Sequence, residues 1–219
     1  MDQSVLDALV RWPDVPAAFG WLSLDPRGNW RLHEGGDSAS GQPGDSITNT
    51  QIIGFMNRNY DHDDIGRWFF QNGPQRVYVR VDTAPYVLRL TGDGELITHT
   101  QADAGRISSW WLDEQGRLYA MAECGPGAID DRDLMAVLDG MTLDEGAGQD
   151  GVGDPDPVSM LATLSRMTPG DTLTVRHRCS PQPMPLLAVR SEHVPDALGF
   201  VRAPAAPDAG VPSAGENVR

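Results

Sequence analysis

Lysine is absent from this chain of 219 residues: all 17 basic side chains are arginine. A phosphate-binding P-loop needs a lysine on the phosphates, and pyridoxal phosphate enzymes and Schiff-base aldolases need one as the covalent amine. Protein kinases need a lysine on their third strand. The composition therefore excludes these four classes of enzyme.

Positive charge of any kind is scarce. The 31 acidic side chains outnumber the basic ones and leave a formal net charge of −14. Nucleic-acid phosphates and anionic lipids repel so acidic a chain unless its arginines gather on one face, and the sequence has no such cluster. We therefore expect neither a nucleic acid nor a membrane as a partner.

Cysteines and long apolar runs are also lacking. Cys124 and Cys179 lie far apart in the sequence, so we expect two free thiols and neither a disulfide framework nor a thiolate zinc site. The absence of a run of about 18 apolar residues excludes a membrane-spanning helix. The first residues are acidic and no apolar signal region follows them, so we expect a soluble, cytoplasmic protein.

Turn sequences, in contrast, are abundant. Aspartate at the first position of a type I turn accepts a nearby backbone N–H, and glycine at the fourth adopts a positive φ that leads into the return strand. An acidic or Gly-Asp corner, followed by glycine, one further residue and a large apolar side chain, predicts hairpin corners in four segments: Asp25-Pro26-Arg27-Gly28-Asn29-Trp30, Asp63-Asp64-Ile65-Gly66-Arg67-Trp68, Gly92-Asp93-Gly94-Glu95-Leu96 and Asp113-Glu114-Gln115-Gly116-Arg117-Leu118.

Hydrophobic periodicity agrees with the corners. Apolar residues alternate with a period of two through much of residues 66–122, which predicts strands, and helical spacing predicts short helices at 5–12, 48–60 and 130–141. The fold class that follows is α+β and β-rich. We expect an antiparallel meander sheet of about six to eight strands, packed with two or three short helices.

Shifts in composition predict how the chain is divided. Residues 143–157 are rich in Gly, Asp and Pro and have no apolar face, which is typical of an acidic linker. The predicted units are a β-rich main domain at 1–142, this linker, a small carboxy-terminal α/β appendage at 158–202 and a disordered tail at 203–219.

The densest polar cluster spans residues 57–64. Its carboxylates and imidazole have the ligand types of a divalent metal site or a general base. The candidate metal ligands are Asp61, His62, Asp63 and Asp64. The candidate ligand-binding residues beside them are Asn57, Asn59, Tyr60 and Arg67. A structural interpretation is an alternative to the metal site and to the ligand-binding site. Aspartates and asparagines commonly form turns and helix caps, and the side chains of adjacent residues point in different directions.

Two short stretches carry a resemblance to a known family. Residues 57–60 read Asn-Arg-Asn-Tyr, and residues 66–79 read Gly-Arg-Trp-Phe-Phe-Gln-Asn-Gly-Pro-Gln-Arg-Val-Tyr-Val. They resemble an uncharacterised proteobacterial family, a domain of unknown function, over roughly residues 20–140. The resemblance implies a bacterial, cytoplasmic protein and brings no catalytic residues with it.

Three functional hypotheses remain open. The first is a non-catalytic module that binds a small molecule or a protein and needs no cofactor, because aromatic and turn-forming residues stand out more than an acid, a base and a nucleophile do. The alternative is a metal-dependent hydrolase or phosphoesterase that uses the acidic cluster at 61–64 and a divalent metal. The third is a homodimer, which would show a large exposed apolar face on the isolated chain.

Overall fold

A computed structural model of the chain describes residues 1–144, 157–178 and 180–206. The helices in these ranges are α1 (Gln3–Arg11), α2 (Thr50–Arg58), α3 (Leu134–Asp139), α4 (Pro157–Leu164) and α5 (Val194–Leu198). The strands are β1 (Ala18–Leu24), β2 (Trp30–Leu32), β3 (Asp45–Ser46), β4 (Tyr60–His62), β5 (Trp68–Asn72), β6 (Gln75–Val81), β7 (Tyr86–Leu90), β8 (Leu96–Thr98), β9 (Ile107–Asp113), β10 (Leu118–Ala122), β11 (Gly125–Ile129), β12 (Met141–Leu143), β13 (Thr172–His177) and β14 (Ser180–Val189).

The four predicted corners are confirmed. At Asp63 the backbone N–H of Gly66 donates to the Asp63 carbonyl, and the Asp63 N–H donates to the Arg67 carbonyl. The Asp63 carboxylate also accepts the N–H groups two and four residues further on. The same bonds recur at Asp25 and Asp113, and at Thr91 a hydroxyl accepts in place of the carboxylate. The four corner glycines have φ values of 77°, 78°, 84° and 77°.

The strands form two sheets. The first sheet has the order β3-β2-β1-β6-β5-β4, and the second has the order β12-β13-β14-β9-β10-β11-β7-β8. Three neighbouring pairs are parallel: β1 with β6, β7 with β11 and β9 with β14. The β-rich α+β class is confirmed, but the described residues form two mixed sheets of six and eight strands, with five short α-helices, in place of the expected antiparallel meander of about six to eight strands with two or three helices. Period-two alternation shows that a segment is a strand and says nothing about which strand it pairs with.

Both sheets contain the same five-stranded arrangement. A hairpin comes first, a three-stranded meander follows, and the last strand of the meander pairs in parallel with the first strand of the hairpin. This gives the order β2-β1-β6-β5-β4 in the first sheet and β8-β7-β11-β10-β9 in the second. The four corners occupy equivalent places, since in each sheet one joins the hairpin and one joins the first two meander strands. The turn sequence that recurs at the four corners therefore accompanies a repeated strand topology.

The second sheet is the middle layer of the molecule. Adjacent residues of its strands belong to different cores: Trp110 and Leu118 to one, and Trp111 and Tyr119 to the other. The first core lies under α3 and α4, and the second lies against the first sheet, α2 and α5. Because both faces are covered, β9 and β10 place large apolar side chains on both sides of the sheet.

The later part of the chain extends this middle layer. Strand β14 pairs with β9, and β13 and β12 follow it outward. The predicted domain division stays a prediction, and residues 145–156 of the linker, residues 207–219 of the tail and Cys179 lie outside the described residues. Cys124 is a free thiol. Among the described residues, no helix is both long and apolar enough to cross a membrane.

Two corner glycines give a matched test of the packing between the sheets. Gly28 and Gly116 both have φ of +77°, but a Cβ on Gly28 would lie 2.5 Å from the His99 Cβ, whereas a Cβ on Gly116 would meet nothing within 4 Å. We expect Gly116→Ala to lower the free energy of unfolding by about 1–2 kcal/mol through φ alone. Gly28→Ala should cost about 1–3 kcal/mol more, because it overpacks a core contact. Urea unfolding of both variants measures the difference, and equal losses would contradict it.

Candidate functional site

The Asp63 carboxylate makes hydrogen bonds that stabilise the fold. Besides its turn, its carboxylate accepts a 2.7 Å bond from the Arg67 guanidinium and a 2.9 Å bond from the Tyr78 hydroxyl. Desolvation opposes ionisation of this carboxyl, but the bonds from the Arg67 backbone, the Arg67 side chain and Tyr78 outweigh it and lower the pKa of Asp63. The Arg67 guanidinium also lies over the Tyr78 ring. The carboxylate therefore anchors the corner between β4 and β5.

The other candidate metal ligands do not join Asp63 around one centre. Asp61, His62 and Asp64 are exposed. The Asp61 carboxylate accepts the backbone N–H of His62, and the His62 ring packs against Trp68 at 4.9 Å. Across the part of the chain that the structure describes, no three His, Cys, Asp or Glu side chains are grouped so that they could hold a metal ion. The metal-dependent hydrolase gains no support from this geometry.

The candidate ligand-binding residues also make structural bonds. The Asn57 side-chain oxygen accepts the indole N–H of Trp30. Asn59 is buried at the end of α2, where its side chain accepts the Asp2 N–H and donates to the Phe55 carbonyl. The buried Tyr60 hydroxyl donates to the Pro85 carbonyl. Ligand binding by these residues, and by Arg67 with its bonds to Asp63 and Tyr78, stays a prediction.

Asp63 can be tested against its neighbour Asp64. Because Asp63→Ala removes bonds to Arg67, to Tyr78 and to the turn backbone, we expect the free energy of unfolding to fall by about 1–3 kcal/mol. Asp64→Ala, at an exposed position, should change it by less than about 0.5 kcal/mol. Denaturant unfolding with and without EDTA compares the two variants. The metal interpretation would be supported again if both substitutions lowered the free energy of unfolding by a similar amount and if EDTA abolished this difference from the wild type.

An aromatic cluster joins the two sheets beside these residues. The Tyr60 ring lies 5.1 Å from Trp30, 5.0 Å from Trp68, 5.9 Å from Tyr86 and 5.8 Å from His99. The His99 Nδ1 accepts the backbone N–H of Val87, which places the ring proton on Nε2, inside the cluster. Burial lowers the pKa of His99 to about 3. The ring is therefore neutral at neutral pH and acts as a core side chain.

Cys124 lies near this cluster without acting as a nucleophile. A Cβ added to its neighbour Gly125 would lie 3.4 Å from the Trp68 ring and 3.5 Å from the Tyr86 ring. Burial raises the pKa of the Cys124 thiol to about 11. Since the thiolate is the reactive form, the thiol stays protonated and inert at neutral pH.

Two buried histidines make stability depend on pH. Burial lowers the pKa of His177 to about 4 despite its contact with the Val137 carbonyl, and His99 is lower still. The unfolded chain protonates both rings near their ordinary value of 6.5, so it takes up more protons than the folded chain does on acidification. We expect the free energy of unfolding to fall from about pH 6.5 to pH 4 by about 1.4 kcal/mol per pH unit for each ring.

This dependence is measurable by urea unfolding at a series of pH values. His177→Gln should reduce the slope below pH 6.5, because it removes one of the two buried rings. A flat profile between pH 6.5 and 4.5 would contradict burial of the two neutral rings.

A cavity of about 240 Å³ lies between the second sheet and helices α3 and α4. Strands β9 and β14 form its floor, and the exposed Met135 and Leu161 stand at its opening. Its apolar lining residues are Leu112, Leu134, Met135, Leu138, Leu161, Leu164, Met167, Pro169, Ala188 and Val189. The polar lining side chains are Asp113, Glu114 and Ser165.

The two carboxylates of the cavity are already engaged. Asp113 accepts the Tyr119 hydroxyl at 2.9 Å as well as the N–H groups of its turn. Glu114 accepts the backbone N–H and the hydroxyl of Ser191, and these bonds lower the pKa of Glu114. They tie the β9 corner to the segment after β14. Among the described residues, no basic side chain lines the cavity.

Sequence reasoning found only one wall of this cavity. The helix predicted at residues 130–141 contains Leu134 and Leu138, which line the cavity from α3. The other walls come from α4 and β14, which reach β9 only through tertiary pairing.

Comparisons with known proteins assign no activity. A family model described as "Protein of unknown function (DUF2946)" matches residues 1–205. None of the curated proteins matches the chain. A DUF1285 family protein from Silicibacter pomeroyi DSS-3 is 15% identical over 64% of this chain and 86% of its own, with a TM-score of 0.42. A DUF1285 family protein from Shewanella baltica OS155 is 14% identical over 52% of this chain and 87% of its own, with a TM-score of 0.37.

Proposed function

The chain belongs to this family of proteins of unknown function, and from that premise we propose that it is a non-catalytic binding module. Its site is the cavity between α3, α4 and the floor of β9 and β14. The ligand is a small molecule, or a side chain of a partner, that places an apolar group in the cavity.

One observation carries this proposal: a preformed cavity lined by ten apolar side chains, with its polar side chains confined to Asp113, Glu114 and Ser165. Ligand sites are typically concave, mostly apolar and provided with a few polar groups that orient the ligand. A dry cavity of about 150 Å³ is enough to hold benzene. The volume of about 240 Å³ therefore accepts a group somewhat larger than one aromatic ring.

The chemistry of the lining favours binding over catalysis. A nucleophile needs a base within hydrogen-bond reach, and general acid–base catalysis needs a group that titrates near the working pH. The lining formed by the described residues contains no His, Cys or Tyr side chain, and its carboxylates at Asp113 and Glu114 are held by structural hydrogen bonds. What the cavity offers a ligand is the removal of apolar surface from water, worth about 25 cal/mol per Å².

A bacterial origin and a cytoplasmic location are part of the same proposal. The free thiol of Cys124 and the count of only two cysteines support a reducing compartment. The family resemblance supports the bacterial origin.

Blocking the opening of the cavity tests the site. Ser165 lines the cavity at an exposed position, so Ser165→Trp should cover the opening without disturbing the core. The neutral two-ring probe 1-aminonaphthalene should fluoresce more strongly when it binds the wild-type protein. We expect Ser165→Trp to weaken this binding at least about tenfold, because the indole occupies the entrance.

The matched control is Arg166→Trp, which adds the same ring at an exposed residue that does not line the cavity. It should leave the affinity within about twofold of the wild type. Circular dichroism confirms that both variants are folded. Equal weakening in both, or no binding by the wild type, would reject the cavity as the site.

A further inference from the structure

The methionines of this chain differ greatly in their exposure to solvent. Of the eight, six are buried or partly buried: Met56, Met121, Met141, Met160, Met167 and Met184. The two exposed ones are the first residue, Met1, at 45% and Met135 at 52%. Met135 is therefore the methionine within a helix or strand that a dissolved reagent reaches most easily.

Met135 also lies at the opening of the cavity between α3, α4 and the second sheet. Leu138, three residues further along α3, lines the same cavity. Residues three apart are neighbours on one side of a helix, so the Met135 and Leu138 side chains lie next to each other. Leu161 of α4, which is 47% exposed, lines the opening from the other helix. The Met135 side chain is thus part of the apolar rim of the cavity.

The chemistry of the thioether suits this position and can be reversed by oxidation. A methionine side chain is unbranched, flexible and polarizable, so it adapts to an apolar group beside it. Methionine sulfoxide is polar and disrupts apolar contacts. An apolar ligand that covers the sulfoxide oxygen removes its hydrogen bonds to water, which is unfavourable. The same side chain therefore favours an apolar ligand when it is reduced and disfavours it when it is oxidised.

We propose that Met135 is a modification site at which a peroxide lowers the affinity of the cavity for its ligand, an inference that rests on the proposed function of the cavity as a binding site. A lone pair of the Met135 sulfur attacks one oxygen of hydrogen peroxide. The S–O bond forms as the O–O bond breaks, so sulfur loses two electrons and the second oxygen leaves as water. A methionine sulfoxide reductase with a dithiol reverses the step, the dithiol becoming a disulfide and the oxygen leaving as water.

Burial directs the oxidation to this residue. Met141, Met160 and Met184 lie in the core under α3 and α4, where they are at most 4% exposed, so peroxide does not reach their sulfur atoms in the folded protein. Met167 also lines the cavity but is partly buried. Cys124 does not compete, because burial raises the pKa of its thiol to about 11 and the thiolate is the reactive form. A limited dose of peroxide therefore modifies the rim and leaves the core intact.

Oxidation of the full chain with a limited dose of hydrogen peroxide, stopped with catalase before the probe is added, tests the proposal. Peptide mass spectrometry should find Met135 oxidised before Met141, Met160 and Met184. The affinity for 1-aminonaphthalene should fall at least about fivefold while the circular dichroism spectrum stays unchanged.

Two substitutions at the same residue separate the sulfur from the rest of the site. Met135→Leu keeps an apolar side chain without sulfur, so it should bind the probe within about twofold of the wild type both before and after peroxide. Met135→Gln places a neutral polar group of similar length at the rim, so it should weaken binding without any peroxide.

Met121→Leu is the matched control, because Met121 is partly buried on β10 and lies outside the cavity lining formed by the described residues. This variant should stay as sensitive to peroxide as the wild type. Complete oxidation of Met135 with no change in affinity would overturn the inference and leave the binding site standing, and so would a Met135→Leu variant that peroxide still weakens. An untreated wild type that does not bind the probe would reject the binding site and this inference together.

Discussion

The contact between the two sheets rests on one aromatic cluster, and the rest of the structure depends on it. Tyr60 of the first sheet packs against Tyr86 of the second, and the neutral His99 ring lies within 6 Å of both. The chain corner at Gly28 comes so close to His99 that it leaves no room for a Cβ. Since aromatic pairs have preferred distances and angles, the cluster sets how the sheets face each other as well as holding them together.

With the first sheet fixed on one side, the second sheet becomes a middle layer. Trp110 and Trp111 are adjacent in β9, and their side chains pack in the two different hydrophobic cores on either side of the sheet. Leu118 and Tyr119 do the same in β10. Helices α3 and α4 then cover the remaining face, and the space they leave beside β9 is the cavity of the proposed binding site.

The polar cluster at residues 57–64 shows why local composition alone does not identify a functional site. Acidic and amide side chains gather both at metal centres and at turns and helix ends, and the sequence does not separate the two cases. Here Asn59 completes the end of α2, Asp63 holds a corner with Arg67, and Asp61 and Asp64 remain exposed. The cavity offered a weaker sequence signal, because its apolar residues look like any others of a hydrophobic core.

What the sequence by itself determined is the set of chain reversals. A corner such as Asp113 to Gly116 depends on a carboxylate reaching N–H groups two and four residues away and on a glycine with positive φ, so all its determinants are local. Tertiary structure alone decided that β1 pairs with β6, β7 with β11 and β9 with β14. Those pairings, like the cavity between β9, β14 and the helices, join residues far apart in the chain, and their stability comes from buried area that local patterns do not encode.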